Sequence, residues 1–184
     1  MSVTSAIYLK TMGVPMTTRP DWDEIWLEVA SAVAERSLCV RAQVCAVIVD
    51  THHRMVSTGY NGPPAEFLHH GEPCDRWCPR AFNQVEARTI GGEVVFRYGG
   101  ESERCVSVHA EANALIAADR SRWQGGTMYV TKHPCWECAK LIANSGLERL
   151  VVRPVDPTPQ GHHSERTYDF LEMCGVTVEV VESG

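Results

Sequence analysis

The chain has 184 residues, a net charge of −6 at pH 7, and 44% hydrophobic and 22% charged residues. This length fits one domain with a sizeable core, and the composition is that of a globular protein. The acidic balance argues against general binding to nucleic acid or to anionic membranes. The sequence has no apolar run of roughly eighteen residues, the length that would span a bilayer.

Residues 1–19 precede the first predicted element and are expected to form a disordered arm ahead of a single domain over residues 20–184. Their weak apolar patch lacks a small-residue cleavage site, so they are not interpreted as a signal peptide. Without a signal peptide, the eight cysteines favour metal binding or catalysis in the reducing cytoplasm over a disulfide framework.

An amphipathic helix is the first predicted element, over residues 19–37, with Asp21 as its N-cap. Its predicted buried stripe comprises Ile25, Trp26, Val29, Ala30 and Val33. The run QVCAVIVD at 43–50 predicts a buried strand, and HHRMVSTGY at 52–60 predicts its hairpin partner. Residues 65–105 combine Gly, Pro, Cys and His with little periodicity, which predicts a long loop or small insertion.

Helices and strands alternate over the remainder of the chain. The predicted elements are a helix at 109–119, a strand at 127–131, a helix at 135–145 closing at Gly146, a strand at 147–152, a helix at 165–174 ended by Gly175, and a strand at 176–181. This alternation predicts an α/β fold with a partly parallel sheet of about five strands and helices on both faces.

Two short motifs open neighbouring helices in this pattern. His109 and Glu111 begin one helix, and Cys135 and Cys138 begin the next. Two thiolates and one imidazole make a tetrahedral zinc site whose fourth position can hold a water molecule. Glu111 is expected beside that water, where a proton shuttle works. Alone, C-x-x-C is often a structural zinc corner or a redox pair, but H-x-E followed by P-C-x-x-C is typical of zinc nucleobase deaminases.

Three segments, 36–64, 104–119 and 126–152, resemble the cytidine deaminase superfamily and, within it, the deoxycytidylate (dCMP) deaminases. The most specific parts are HAEANA at 109–114 and PCWECAK at 134–140. The Cys-Ala-Lys ending is similar to dCMP deaminases and unlike tRNA adenosine deaminases. The resemblance implies a three-layer α/β/α fold with a mixed sheet of roughly five strands.

The resemblance also implies a reaction. Zinc held by His109, Cys135 and Cys138 would activate water for attack on C4 of the cytosine ring, while Glu111 carries the protons. The expected reaction converts dCMP to dUMP and ammonia and supplies dUMP for thymidylate synthesis.

Four further residues are predicted to contact the substrate. Asn61 corresponds to the family's asparagine that binds the sugar and orients the base, although an Asn-Gly pair is also typical of a turn. Ala110 would offer backbone contacts to the base. Arg41 and Lys132 are candidate phosphate partners, with solvated surface positions as the alternative.

A second cysteine cluster resembles one found in many phage and bacterial dCMP deaminases. Cys74, Cys78 and Cys105, with His70 or His69 as the fourth ligand, are expected to hold a structural zinc, and free buried thiols are the alternative. Cys39, Cys45 and Cys174 fall in apolar runs and are predicted to be core residues.

The chain departs from the family pattern at two positions. Cys45 stands where the family usually has glycine, and its side chain is either tolerated or narrows the space near the substrate. Glu66 follows Ala65 where a second glycine is common, and its carboxylate would repel a triphosphate, which puts regulation by dCTP or dTTP in question. Family members assemble as homo-oligomers, often hexamers, and Trp22, Trp26 and the insertion at 79–103 are candidate contact surfaces.

Two alternatives remain open. The substrate could be another small molecule of the superfamily, such as cytidine, a modified dCMP or a purine, whereas polynucleotides are disfavoured by the acidic charge. The chain could instead be a non-catalytic zinc-binding regulatory module. Glu111 argues against that second reading, because a structural zinc has no use for a neighbouring proton shuttle.

Overall fold

A computed structural model describes residues 19–39, 41–64, 86–90, 93–97, 105–153 and 161–181. Its elements in chain order are α1 (Trp22–Ala34), β1 (Cys45–Val49), β2 (Met55–Tyr60), β3 (Glu86–Ile90), β4 (Glu93–Arg97), α2 (Ala110–Ile116), a 3₁₀ turn (Arg120–Arg122), β5 (Thr127–Val130), α3 (Trp136–Ala143), β6 (Arg149–Val152), α4 (Gly161–Met173) and β7 (Thr177–Val180). Among the described residues, none of the helices has the length and apolar character needed to cross a bilayer.

The main sheet has five strands in the order β2-β1-β5-β6-β7. β1 is antiparallel to both β2 and β5, whereas β5, β6 and β7 are parallel, so the predicted mixed sheet is confirmed. Because β1 and β5 are antiparallel, the start of β1 lies beside the end of β5, where the Cys45 N–H donates to Thr131 Oγ1 at 3.0 Å. Arg153, just after β6, lies at the same edge, since its N–H donates to the Val130 carbonyl at 3.0 Å. We call this edge the site edge.

Helices cover both faces of the sheet, which confirms the three-layer architecture. Among the described helices, α1 packs on one face of the sheet, against the side chains of Cys45, Val47, Val49, Tyr129 and Val151. On the other face, α2, α3 and α4 pack over the alternate strand residues, which include Ala46, Ile48, Met128, Val130, Leu150 and Val152. The period-two alternation of a strand therefore separates the core into two layers.

The first helix starts as predicted and faces the sheet slightly differently. Asp21 is the N-cap, and together with Glu24 it forms a capping box. The buried residues are Leu27, Ala30 and Ala34, whereas Trp26, Val29 and Val33 are partly buried. The predicted burial of Ile25 is wrong, because the buried face is centred nearer Ala30 and leaves Ile25 37% exposed at its edge.

Other boundaries differ from the sequence prediction for local reasons. The region 65–105 contains the β3–β4 hairpin, which was not predicted. α2 ends at Ile116 rather than 119, because the Asp119 carboxylate caps the following 3₁₀ turn by accepting the Ser121 N–H at 2.8 Å. Gly146 and Gly175 follow α3 and α4 with φ values of 88° and 84°, which explains why glycine ends both helices.

Candidate metal centre and active site

The three candidate ligands lie at the starts of two helices. His109 is the N-cap residue of α2 and Cys135 is the N-cap residue of α3, with Cys138 in the first turn of α3. Gly62 and Val108 form two backbone hydrogen bonds with each other, with N–O distances of 3.1 and 2.8 Å. These bonds attach the end of the β1–β2 hairpin to the residue before His109. The fold thereby brings both motifs to the site edge.

The ligand atoms converge on one point. His109 Nδ1 lies 3.4 Å from Cys135 Sγ and 3.4 Å from Cys138 Sγ. All three atoms lie within 4.8 Å of one another. Tetrahedral zinc with ordinary Zn–S and Zn–N bonds would place nitrogen and sulfur ligands about 3.5 Å apart. The donor set and its spacing therefore fit a zinc ion, and the three ligands found among the described residues leave one tetrahedral position for a small ligand.

The two thiols of the centre are electrostatically unequal. The Cys138 thiol hydrogen-bonds to the Cys135 sulfur, and this bond lowers the pKa of Cys135 to about 3. The same bond raises the pKa of the Cys138 thiol. Cys135 Sγ also accepts the Cys138 backbone N–H at 3.5 Å, as an N-cap group does. The protein is thus prepared to hold negative charge on sulfur at the start of α3.

Glu111 lies against the metal ligands in a water-poor position. Its residue is only 4% exposed, and its carboxyl group lies within hydrogen-bonding reach of the Cys138 sulfur. Burial raises the pKa of the Glu111 carboxyl. A carboxyl group in this environment can hold and release a proton next to the candidate metal ligands.

The strand β2 fixes the position of α2, which carries His109 and Glu111. A Cβ atom on Gly59 would lie 2.2 Å from the Ala114 nitrogen, so the backbone of α2 rests directly on this glycine. Ser57 Oγ donates to the Ala114 carbonyl at 2.8 Å. Sequence reasoning missed this attachment, and its one signal was a glycine inside an otherwise β-forming strand.

Asn61 is buried and bonds to the segment that leads into β1. Its side-chain oxygen accepts the Val44 N–H at 2.8 Å, and its side-chain nitrogen donates to the Ala42 carbonyl at 2.9 Å. The Asn61 carbonyl accepts from Ser37 Oγ at 2.7 Å. The amide nitrogen carries a second N–H that can serve a ligand. Asn61 therefore orders the strand that follows Arg41, in addition to any contact with substrate.

The other predicted substrate contacts differ in exposure. Ala110 is fully buried at the start of α2, so only its backbone can offer contacts. Lys132 is partly buried just after β5, and Arg41 is exposed just before β1. Both cations therefore follow or precede strand ends at the site edge.

The second cysteine cluster falls mostly on residues that the structure does not describe. Cys74, Cys78, His69 and His70 lie outside the described residues, as do Ala65 and Glu66, and Cys105 is partly buried. The second zinc therefore stays a prediction. The predicted arm over residues 1–19 lies outside the described residues except for Arg19.

The remaining cysteines correct two expectations. Cys174 is exposed after the end of α4 and Cys39 is partly buried, so only Cys45 of the three is a core residue. The side chain of Cys45 packs on the α1 face with Leu27 and Val47. The candidate metal ligands are carried by helices on the opposite face of the sheet.

Comparisons with known proteins agree with this geometry. The model of the family described as "Cytidine and deoxycytidylate deaminase zinc-binding region" matches residues 20–153. This match spans well over half of the chain and includes both motifs. The chain belongs to this family of zinc-dependent deaminases.

Particular relatives are deoxycytidylate deaminases. The chain is 46% identical over 134 residues to the deoxycytidylate deaminase of Mycobacterium phage D29, covering 73% of this chain and 95% of the phage protein. It is 32% identical over 162 residues to that of Saccharomyces cerevisiae, covering 87% of this chain but only 45% of the longer yeast protein. The fold is similar to the dCMP deaminase of cyanophage S-TIM5 solved with dCMP and dUMP, with a TM-score of 0.58, 22% identity, and coverage of 90% and 100%.

Proposed function

We propose that this protein is a zinc-dependent hydrolase that converts dCMP to dUMP and ammonia. The observation that carries the proposal is the convergence of His109, Cys135 and Cys138, with distances of 3.4 Å from nitrogen to each sulfur, beside the buried carboxyl of Glu111. The deoxycytidylate deaminases among its relatives support dCMP as the substrate.

The protein's own residues have separate roles in this reaction. His109, Cys135 and Cys138 hold the zinc ion, which when bound supplies a water molecule activated at neutral pH. Glu111 accepts a proton from the attacking water and delivers it to N3 of the cytosine ring. It then transfers the second water proton to the 4-amino group, which leaves as ammonia. The water oxygen bonds to C4 as the bond from C4 to the amino nitrogen breaks, and the two water protons end on N3 of dUMP and on ammonia.

Substrate binding is assigned to the site edge. Arg41 and Lys132 are the proposed phosphate partners, because Arg41 precedes β1 and Lys132 follows β5 at the site edge, and an acidic chain needs local cations to bind a nucleotide. Asn61 would contact the sugar through its second amide N–H, and the Ala110 backbone would contact the base. Asn61 supports this arrangement by holding the segment that follows Arg41.

The test is ammonia release from dCMP and from deoxycytidine, with zinc counted per chain. We expect turnover of dCMP and much weaker turnover of deoxycytidine, which lacks the phosphate. Arg41→Ala should raise KM for dCMP about tenfold with little change for deoxycytidine, which corresponds to about 1.4 kcal/mol of binding free energy. Arg54→Ala, a cation in the β1–β2 turn at the opposite edge, is the matched control and should leave KM unchanged.

Efficient turnover of deoxycytidine would contradict the choice of a nucleotide substrate. Turnover of neither compound by the zinc-loaded protein would contradict dCMP and direct the search to modified nucleotides or purines.

Further properties are proposed from the resemblance. We expect a second, structural zinc at Cys74, Cys78, Cys105 and His70, a homo-oligomer such as a hexamer, and a cytoplasmic role in supplying dUMP for thymidylate synthesis. Two zinc ions per chain would support the second site, and light scattering would measure the oligomer.

A further inference from the structure

The last helix contacts the residues on both sides of Cys135. Tyr168 of α4 forms a hydrogen bond between its hydroxyl and Nδ1 of His133, two residues before Cys135. Phe170 of α4 packs against the ring of Trp136, the residue after Cys135, with ring centroids 4.9 Å apart and planes at 44°. One helix therefore holds both flanks of a candidate metal ligand.

α4 is itself firmly attached to the core. Leu171 is fully buried and Thr167 is 4% exposed. After the helix ends, the Val176 N–H donates to the Leu171 carbonyl at 2.9 Å, which ties the end of α4 to the chain entering β7. Contacts from such a helix can fix the position of a loop, since the supporting atoms have little freedom to move.

The loop before Cys135 depends on side-chain support. Pro134 has no N–H to donate, and the residue before a proline is restricted to extended conformations. The hydrogen bond from Tyr168 reaches this loop at its last residue before the proline. Burial raises the pKa of Tyr168 to about 12, so its hydroxyl stays protonated at neutral pH, and the hydrogen bond with His133 Nδ1 can form with either tautomer of the imidazole.

We propose that Tyr168 is a positioning residue for the metal centre. Through His133 it fixes the loop that delivers Cys135 Sγ to within 3.4 Å of His109 Nδ1. Groups that hydrogen-bond directly to a metal ligand usually contribute 10–100-fold to metal affinity. Tyr168 acts through His133, which is not itself a candidate ligand, so an effect at the lower end of that range, about tenfold, is expected. The proposal rests on metal binding by His109, Cys135 and Cys138, as set out for the proposed function, but not on the identity of the substrate.

The experiment measures metal binding by Tyr168→Phe after metal removal and reloading. We expect zinc affinity, measured by competition with a chromogenic chelator, to fall about tenfold. We also expect the visible absorption bands of the cobalt-substituted protein to shift, because they report the geometry of the sulfur ligands. Asp169→Asn, an exposed neighbour on the same helix, should change neither quantity, and the metal-free forms of both variants should unfold at the wild-type temperature.

A second pair of variants separates the hydrogen bond from general packing. His133→Asn keeps a hydrogen-bonding group near the position of Nδ1 and should retain most of the zinc affinity. His133→Ala should lose zinc affinity to the same extent as Tyr168→Phe. Equal zinc affinities and equal cobalt spectra for Tyr168→Phe and Asp169→Asn would overturn the proposal.

The outcome is distinguishable from that of the substrate test. If the wild-type protein binds zinc but does not deaminate dCMP, the proposed substrate is contradicted. A lowered zinc affinity of Tyr168→Phe would still support the positioning role in that case. A wild-type protein that binds no zinc would overturn both proposals.

Discussion

Cys45 and Cys135 lie near the same edge of the sheet, and their thiols face contrasting surroundings. Cys45 packs under α1, where burial among apolar side chains raises the pKa of its thiol to about 12. Cys135 caps α3 on the other face, where the hydrogen bond from Cys138 lowers the pKa of its thiol to about 3. The same residue type is thus an inert filler on one face and a candidate ligand on the other.

The polar groups of the two faces differ in the same way. On the α1 face, Arg149 donates to Asp23 Oδ2 at 2.6 Å and to Glu179 Oε2 at 2.7 Å, and Tyr129 Oη donates to Asp23 Oδ1 at 2.8 Å. Charges on this face are paired with one another. On the other face, the buried Glu111 has its pKa raised by burial. Paired charges stabilise the fold, whereas buried ionisable groups with strongly shifted pKa values indicate a functional site.

The largest expected effect is the difference in zinc content and turnover between alanine variants of a cysteine at the metal centre and a cysteine on the α1 face. Cys138→Ala removes a proposed zinc ligand, and we expect the protein to lose stoichiometric zinc and its deaminase activity together. Cys45→Ala removes a buried sulfur on the α1 face and should cost about 1 kcal/mol of unfolding free energy while keeping zinc and turnover within about twofold. Metal analysis and ammonia release measure both variants, and a loss of zinc from Cys45→Ala would contradict the separation of the faces.

The attachment of α2 to β2 predicts the next largest effect. In Gly59→Ala the added methyl group would lie 2.2 Å from the Ala114 nitrogen, so α2 must move away from the sheet. We expect a loss of about 3 kcal/mol or more in unfolding free energy and weaker zinc binding, since His109 moves with the helix. Thermal unfolding and zinc titration would measure the two effects.

Gly62→Ala is the matched control for this variant. A Cβ atom at Gly62 meets only the edge of the Tyr60 ring at 4.0 Å, so the change should alter stability by less than about 1 kcal/mol. Equal stabilities of the two variants would show that α2 does not rest on Gly59.

The α1 face predicts a smaller effect that depends on pH. The hydrogen bonds from Arg149 lower the pKa of Asp23 below its unfolded value of 3.8. A lowered folded pKa adds stability above the unfolded pKa, and this stability is lost as pH falls through the folded value. Asp23→Asn should therefore cost about 1–2 kcal/mol between pH 6 and 8, and the difference from wild type should shrink below about pH 4. Denaturant unfolding at several pH values tests this, and a cost that does not change with pH would refute the role of the charge.

Much of the fold could be predicted from periodicity, because the apolar runs around Val47, Tyr129 and Val151 are short, rich in strand-forming residues and separated by glycine or capping signals. The β3–β4 hairpin was not predicted although Gly91-Gly92, a pair typical of tight hairpin turns, separates the two strand sequences EARTI and EVVFR. Neither sequence shows a clear alternation of apolar and polar residues, so the periodicity that indicates a strand is weak there. The predicted burial of Ile25 was wrong because the face of a helix that meets the sheet is decided by tertiary packing. The predicted burial of Cys174 was wrong because α4 ends at Met173 and Cys174 lies in the exposed turn before Gly175.

The chemistry-bearing residues could be predicted as motifs, because HAE and PCxxC are local in sequence and each begins a helix. The structure adds what holds them together. Ser57 meets Ala114 across 57 positions of sequence and Tyr168 meets His133 across 35. No local pattern encodes contacts between residues so far apart, so these supports could be found only from the fold.

The central claim is that Glu111 carries protons beside a zinc ion held by His109, Cys135 and Cys138. The most direct measurement compares zinc content and dCMP turnover of Glu111→Gln with those of Glu137→Gln, a variant of an exposed glutamate on α3. The account predicts full zinc in both variants, unchanged turnover in Glu137→Gln, and a fall of about 10²–10⁴-fold in Glu111→Gln. Turnover of Glu111→Gln at the wild-type rate with zinc bound would contradict the account.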